Sequence, residues 1–175
     1  ASAGVSTAAA LRAALKTDCD AVMIGRVESA EVARIAEAAA ERGVLVLVGT
    51  ESPELFEAPE LAIRTAVVRR LGDKQMADQH KLTRAQADGL EEWANFARVL
   101  AALKEEGKVE KELAWKDVQF SRPVPSSEHP DGYLGLLGIQ EVSRNGQLVG
   151  LSLVEDALFK AAAGLTSIEE VKGLL

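Results

Sequence analysis

The sequence predicts an α/β fold: a parallel sheet with flanking helices, then a mostly helical C-terminal part with a small β-hairpin. Three observations carry this. Ala21–Gly25 and Val44–Val48 are short apolar runs without alternation, the pattern of strands buried on both faces. Between them, Ser29 caps a helix from Ala30 to Arg42 that sets Val32, Ile35 and Ala39 on one stripe. Gly43 stops that helix where a left-handed residue is needed, so strand, helix and strand follow with short joints, as in a right-handed crossover.

The remaining elements are read in order. Ser6 or Thr7 caps a first helix from Ala8 to Lys16, with Leu11 and Leu15 on one face. Pro53 and Pro59 each open a helical piece, the longer running from Pro59 to Leu71 and ended by Gly72. Thr83 with Gln86 forms a capping box for a helical region reaching Glu106, interrupted near Gly89 and Asn95 and closed by Gly107. Trp115–Phe120 reads as a strand, followed by a loop through Pro123, Pro125 and Pro130. Leu137–Val142 is strand-like, and Asn145-Gly146 is a strong hairpin turn into Gln147–Gly150. Val154–Ala163 is an amphipathic helix ended by Gly164, and Thr166 with Glu169 caps a short last helix. The boundary is placed between Gly72 and Leu82, giving an α/β unit over 1–72 and a helical part with the hairpin over 73–175.

Composition narrows the function classes. A chain of 175 residues with 47% apolar and 27% charged residues fits one globular domain, or one with a small appendage. Its formal charge of −7 lacks the clustered cations that nucleic acid demands, so no nucleic-acid partner is expected. No apolar run has the length of a membrane span and no signal segment opens the sequence, so direct membrane insertion is not expected. Cys19 is the single cysteine, which leaves no internal disulfide and makes a cytoplasmic location the default. Ala1 in place of Met suggests a piece of a longer chain.

Four segments, in order, resemble the C-terminal half of the motor ATPases of type II secretion and type IV pilus assembly. Leu11 through Gly25 resembles that family's L-R-x-x-L-R-x-D-P-D-x-I-M-V-G, and Arg26 through Ala33 stands against its E-I-R-D-x-E-T-A. Ile63 to Gly72 is similar to R-L-V-R-R-L-C. Asp131 to Val142 is similar to G-Y-x-G-R-x-G-I-x-E-V, and Asp156 through Val171 to D-G-x-x-K-x-x-x-G-x-T-T-x-E-E-V. The resemblance implies that 1–72 is part of a RecA-like sheet. It also implies that Asp20, Gly25 and Arg26 are what remains of the second nucleotide-site strand.

Each chemical element of the family is altered here. No phosphate-cradling G-x-x-x-x-G-K-[ST] occurs in the 175 residues, and the family carries it upstream of the matching region. Arg26 stands where the family's glutamate polarises the attacking water, and a guanidinium cannot accept a proton near neutral pH. It is expected as a solvated or ion-paired surface group, and Asp20 as a strand-end cap or solvated charge. The family's histidine-bearing loop is replaced by Gly49-Thr50-Glu51-Ser52-Pro53. The four positions where many family members carry zinc-binding cysteines are Gly72, Gln75, Ser126 and His129, which cannot complete a tetrahedral thiolate site. His80 and His129 do not replace them. The arginine of G-R-x-G is Leu136. No catalytic residue, cofactor or metal is therefore expected.

Other residues read as structural. Asp18 and Asp20 flank Cys19 with negative charge and disfavour a thiolate nucleophile. Trp93 and Trp115 are taken as packing residues, and the run from Lys104 to Lys111 as a solvated face. In the parent family the strand at Asp20–Gly25 lies beside the P-loop strand. Here one edge is left open, to be filled by C-terminal strands, a second copy or a partner chain. The resulting expectation is a catalytically inert, motor-derived structural or interaction module. Its partners would be itself, secretion or pilus motor subunits, or the inner-membrane platform protein. The alternative is a C-terminal fragment of a full-length hexameric ATPase whose P-loop lies upstream.

Overall fold

The computed structural model describes residues 4–56, 61–72 and 79–175. The chain is mixed α/β and divides into two compact units, Ala1–Pro59 and Glu60–Leu175. In the first, α1 (Thr7–Ala14), β1 (Ala21–Ile24), α2 (Ala30–Ala40) and β2 (Leu45–Val48) follow the expected order. The Ser6 hydroxyl accepts from Ala9 N, and the Ser29 hydroxyl from Val32 N, so each cap satisfies an amide the helix leaves open. Gly43 takes φ 91° after α2. β1 and β2 pair in parallel with Val22 opposite Val46 and Ile24 opposite Val48.

Both helices cover the same face of this two-stranded sheet. Ala8 and Leu11 of α1 and Val32, Ala33 and Ala36 of α2 pack with Val22, Ile24 and Val46. The opposite face carries Met23, 78% exposed, with Leu45 and Leu47 also exposed. The strands are thus buried on one face, not on both as their unbroken apolar runs predict. Pro53–Leu55 forms a single 3₁₀ turn.

The second unit departs most from expectation. The segment expected as a helix from Pro59 to Leu71 is the strand β3 (Leu61–Leu71), with Pro59 itself outside the described residues. It pairs antiparallel with β6 (Tyr133–Arg144) along nearly its whole length, and β6 pairs in turn with β7 (Gln147–Val149). Ile63, Thr65 and Val67 are β-branched at period two, and long-range pairing overrides the helix preference of the neighbouring Ala and Arg. The C-terminal part is accordingly not mostly helical, and β3 joins it rather than the α/β unit. The boundary therefore falls before β3, not after Gly72.

β4 (Gln79–Lys81) pairs with β5 (Gln119–Ser121), the expected strand at Trp115–Phe120 being a 3₁₀ turn over Trp115–Asp117 followed by β5. The Thr83–Gln86 capping box opens α3 (Arg84–Glu91) as expected, and Asn95 caps α4 (Phe96–Glu105), whereas Gly89 lies within α3. Asn145 and Gly146 have φ of 50° and 73°, the two positive values of a type I′ hairpin turn. α5 (Leu153–Ala162) starts from a capping box of Ser152 and Glu155, and α6 (Ile168–Lys172) from Ser167 without a side-chain cap bond. Phe120, Leu90, Leu103, Ile139, Leu158 and Ile168 fill the core of this unit. Trp115 stacks on Phe96 with ring centroids 4.6 Å apart, but Trp93 is half exposed. The outer face of β3–β6–β7 exposes Ile63, Val67, Leu136 and Val149.

Candidate functional site

The carboxyl ends of parallel strands are where open α/β sheets bind ligands. At that end of β1 the chain turns through Gly25-Arg26-Val27 and meets Gly49-Thr50 after β2. Gly49 N donates to Ile24 O at 3.0 Å, and Val27 N donates to Gly49 O at 2.8 Å. A Cβ on Gly49 would lie 2.4 Å from the carbonyl oxygen of Gly25, so this crossing requires glycine. The Thr50 hydroxyl donates to Val27 O at 3.0 Å and accepts from Ser52 N at 3.0 Å, which closes the corner.

Arg26 stands on this corner with its side chain 60% exposed. Its Nε lies 2.6 Å from a Glu28 carboxylate oxygen, and an Nη lies 3.0 Å from a Glu51 oxygen. The guanidinium is thus held between two carboxylates. Asp20 lies at the other end of β1, beyond a four-residue strand that is itself roughly 13 Å long. Its backbone carbonyl accepts from Leu45 N at 2.8 Å. Asp20 and Arg26 therefore do not converge, while Gly25 and Arg26 share the closed corner.

Of the positions compared with zinc ligands, Gln75 lies outside the described residues. Gly72 N donates to Gly132 O at 3.2 Å. Ser126 and His129 form a tight local loop: Ser126 N donates to His129 O at 2.9 Å, and His129 N to the Ser126 hydroxyl at 3.0 Å. Among the described residues no three His, Cys, Asp or Glu side chains gather as a metal-binding group. Both ring nitrogens of His80 are buried without a hydrogen-bond partner among the described residues. Cys19 Sγ lies 3.7 Å from Ala14 O and is partly buried.

Sequence reasoning missed a polar network in the second unit. Arg69 Nε and backbone N donate to the two oxygens of Glu170 at 2.9 and 2.7 Å. Its guanidinium lies 3.9 Å above the Tyr133 ring and reaches Asp131 at 3.4 Å. The Tyr133 hydroxyl is 2.8 Å from the Ser167 hydroxyl, and the Thr166 hydroxyl donates to Arg69 O at 2.7 Å. Thr166 is therefore engaged with β3 and does not cap α6. The hydrogen bond from Arg69 to Glu170 raises the Arg69 pKa. Burial pushes the Glu170 carboxyl up, but the bonds from Arg69 outweigh it and hold it below the ordinary value. Burial raises the Tyr133 phenol, and the Ser167 bond offsets only part of that. The signal lay in the sequence, since all these residues but Asp131 stand at letters of the quoted patterns, Ser167 in place of a threonine.

Fold and site together define a mixed α/β protein whose parallel strand pair ends in a closed, ion-paired corner. Over 159 residues, 87% of the chain, the sequence is 30% identical to the type IV pilus assembly ATPase PilB of Acinetobacter baylyi. The match covers 26% of that protein, so the chain spans about a quarter of the length of the relative it matches. This is a distant similarity to part of a pilus assembly ATPase. No family model matches the chain. Among the described residues no helix is long and apolar enough to cross a membrane.

Proposed function

We propose that the chain is a catalytically inert module derived from a pilus or secretion motor ATPase, built on part of a RecA-like sheet. The observation that carries this is Arg26, which stands where the resemblance puts the water-polarising glutamate and is tied to Glu28 and Glu51. General-base assistance is worth roughly 10²–10⁴ in rate, and a guanidinium cannot supply it. Nothing at the corner compensates: Thr50 spends its hydroxyl on the backbone, and the loop through Pro53 brings no histidine.

The role left to such a module is structural. The face bearing Met23, Leu45 and Leu47 is apolar and exposed, which supports association with a second copy or with motor subunits. The inner-membrane platform that such motors drive is a further partner under this reading, and a cytoplasmic site follows from it.

The test is nucleotide titration of the whole chain. No saturable ATP binding below millimolar concentration and no turnover are expected, and a micromolar dissociation constant would overturn the proposal. Sedimentation adds an independent measurement, where a stable monomer at tens of micromolar counts against association.

The match to a quarter of PilB favours a second reading, a C-terminal piece of a full-length hexameric ATPase. The complete reading frame separates the two. An upstream phosphate-binding loop supports the fragment reading, in which Arg26 still predicts a weak or dead site.

A further inference from the structure

α1 and α2 pack side by side in the first unit and leave a groove of about 470 Å³ between them. The half-buried Leu15 and Ile35 and the exposed Ala38 supply its apolar lining. Its rim carries four cations, Arg12, Lys16, Arg34 and Arg42, and one carboxylate, Glu31. Glu31 is spent on Arg12 at 2.8 Å, and Arg42 Nε donates to Ala38 O at 2.9 Å. Lys16 and Arg34 have no carboxylate partner among the described residues. Glu37 of α2 and its C-cap Glu41 do not line the groove. A chain of net charge −7 thus concentrates uncompensated positive charge around one apolar trough.

We propose that this groove docks an acidic amphipathic helix of a partner protein. Charge complementarity selects the occupant. The rim calls for carboxylates, and the lining calls for aliphatic side chains that no free anion provides. From Glu31 to Ala38 the trough follows α2 for two turns, about 10 Å, and runs on to Arg42 in the turn beyond it, which matches a short helix carrying apolar anchors three and four residues apart. A single phosphate cannot reach cations spread over that length, and all four are exposed rather than gathered in a built pocket. Nucleic acid finds no stacking aromatic among the lining residues. A flat anionic bilayer meets the exposed rim cations but leaves the half-buried Leu15 and Ile35 without an apolar partner. The docking site is distinct from the corner at Arg26 and stands whether or not that corner is inert.

The experiment uses the whole chain and a fluorescein-labelled synthetic peptide of about fifteen residues, with leucines along one helical face and glutamates flanking them. Saturable binding in the micromolar range is expected, weakening at least tenfold in Lys16→Glu/Arg34→Glu. A twin peptide with lysine for every glutamate should reverse the preference, binding that double variant better than the wild type. Ala38→Trp fills the groove without changing charge and should also abolish binding. These positions are exposed, so unchanged circular-dichroism melts are expected to accompany the losses. The proposal is overturned by absence of saturable binding, by equal binding of a scrambled peptide of the same composition, or by full affinity in both variants. It is also overturned if phosphatidylserine vesicles bind through Lys16 and Arg34 while the peptide does not.

Discussion

Glu155→Ala should be among the most damaging single changes in the second unit. The Glu155 residue is 3% exposed and serves two helix starts at once. One oxygen accepts from Asn95 N, the cap of α4, at 2.8 Å, and the other from Ser152 N, the cap of α5, at 2.9 Å. Arg98 adds a bond at 3.3 Å from a guanidinium that can return to solvent. Removing the carboxylate leaves two part-buried cap amides without their acceptor, each at about 2 kcal/mol, so the expected loss is about 4 kcal/mol. Glu155→Gln keeps the shape and one acceptor but turns an N–H toward a second donor, and about half that loss is expected. Urea unfolding followed by tryptophan fluorescence reads this directly, because Trp93 and Trp115 both lie in the second unit. With a slope of about 2 kcal/mol/M, the alanine variant's midpoint should fall by about 2 M. A shift below about 0.5 M, or a glutamine variant as unstable as the alanine one, would refute this account of the shared cap.

Four further outcomes are expected. Glu170 has a lowered folded-state pKa, so its contribution is complete above the ordinary glutamate value of 4.5 and is lost as pH falls through the lowered one. Acid titration of the wild type should show this loss below about pH 4.5, and Glu170→Gln should remove it. Gly49→Ala forces the Gly25 carbonyl to move and should destabilise the first unit by about 1–3 kcal/mol, read by hydrogen exchange of β1 and β2 amides. Arg26→Ala breaks only exposed ion pairs, so a thermal melt should report a change within about 0.5 kcal/mol. Arg26→Glu should yield no ATP turnover in a phosphate-release assay.

The strand–helix–strand unit was legible because its punctuation is local: Ser29 caps α2 and Gly43 ends it within the window that defines the helix. The Asn145-Gly146 turn was legible for the same reason, since both residues declare their positive φ in their chemistry. β3 was not, because its partner β6 begins more than sixty residues later, while Ala62, Arg64, Ala66, Arg69 and Arg70 all favour a helix locally. Spacing from Glu169 points Thr166 to the start of α6, but its hydroxyl is taken by a carbonyl 97 positions away. β1 and β2 are less buried than their apolar runs imply, because such a run does not reveal which of its faces this chain covers. At the candidate site, the separation of Asp20 from Arg26 follows from strand length alone. The carboxylates holding Arg26 required the fold, since Glu51 arrives from the far strand.

The residues that carry the resemblance have structural work in this chain. Arg69, Tyr133, Thr166 and Glu170 tie β3 and β6 to α6. Asp156 accepts from Gln140 N and from Lys160, and Lys160 reaches the carbonyl of Gly138, which ties α5 to β6. A substitution at any of them strands a buried or charged partner, so packing alone is enough to preserve these letters. Likeness to a pilus ATPase in these segments is therefore accounted for by packing and carries no weight on turnover. The discriminating position is Arg26: it sits on a corner whose geometry is specified by Gly49 and Thr50, and its own side chain is free of core contacts. A change there costs the fold little, so stability does not dictate its identity. That asymmetry is why the inert reading rests on one exposed arginine and not on the extent of the match.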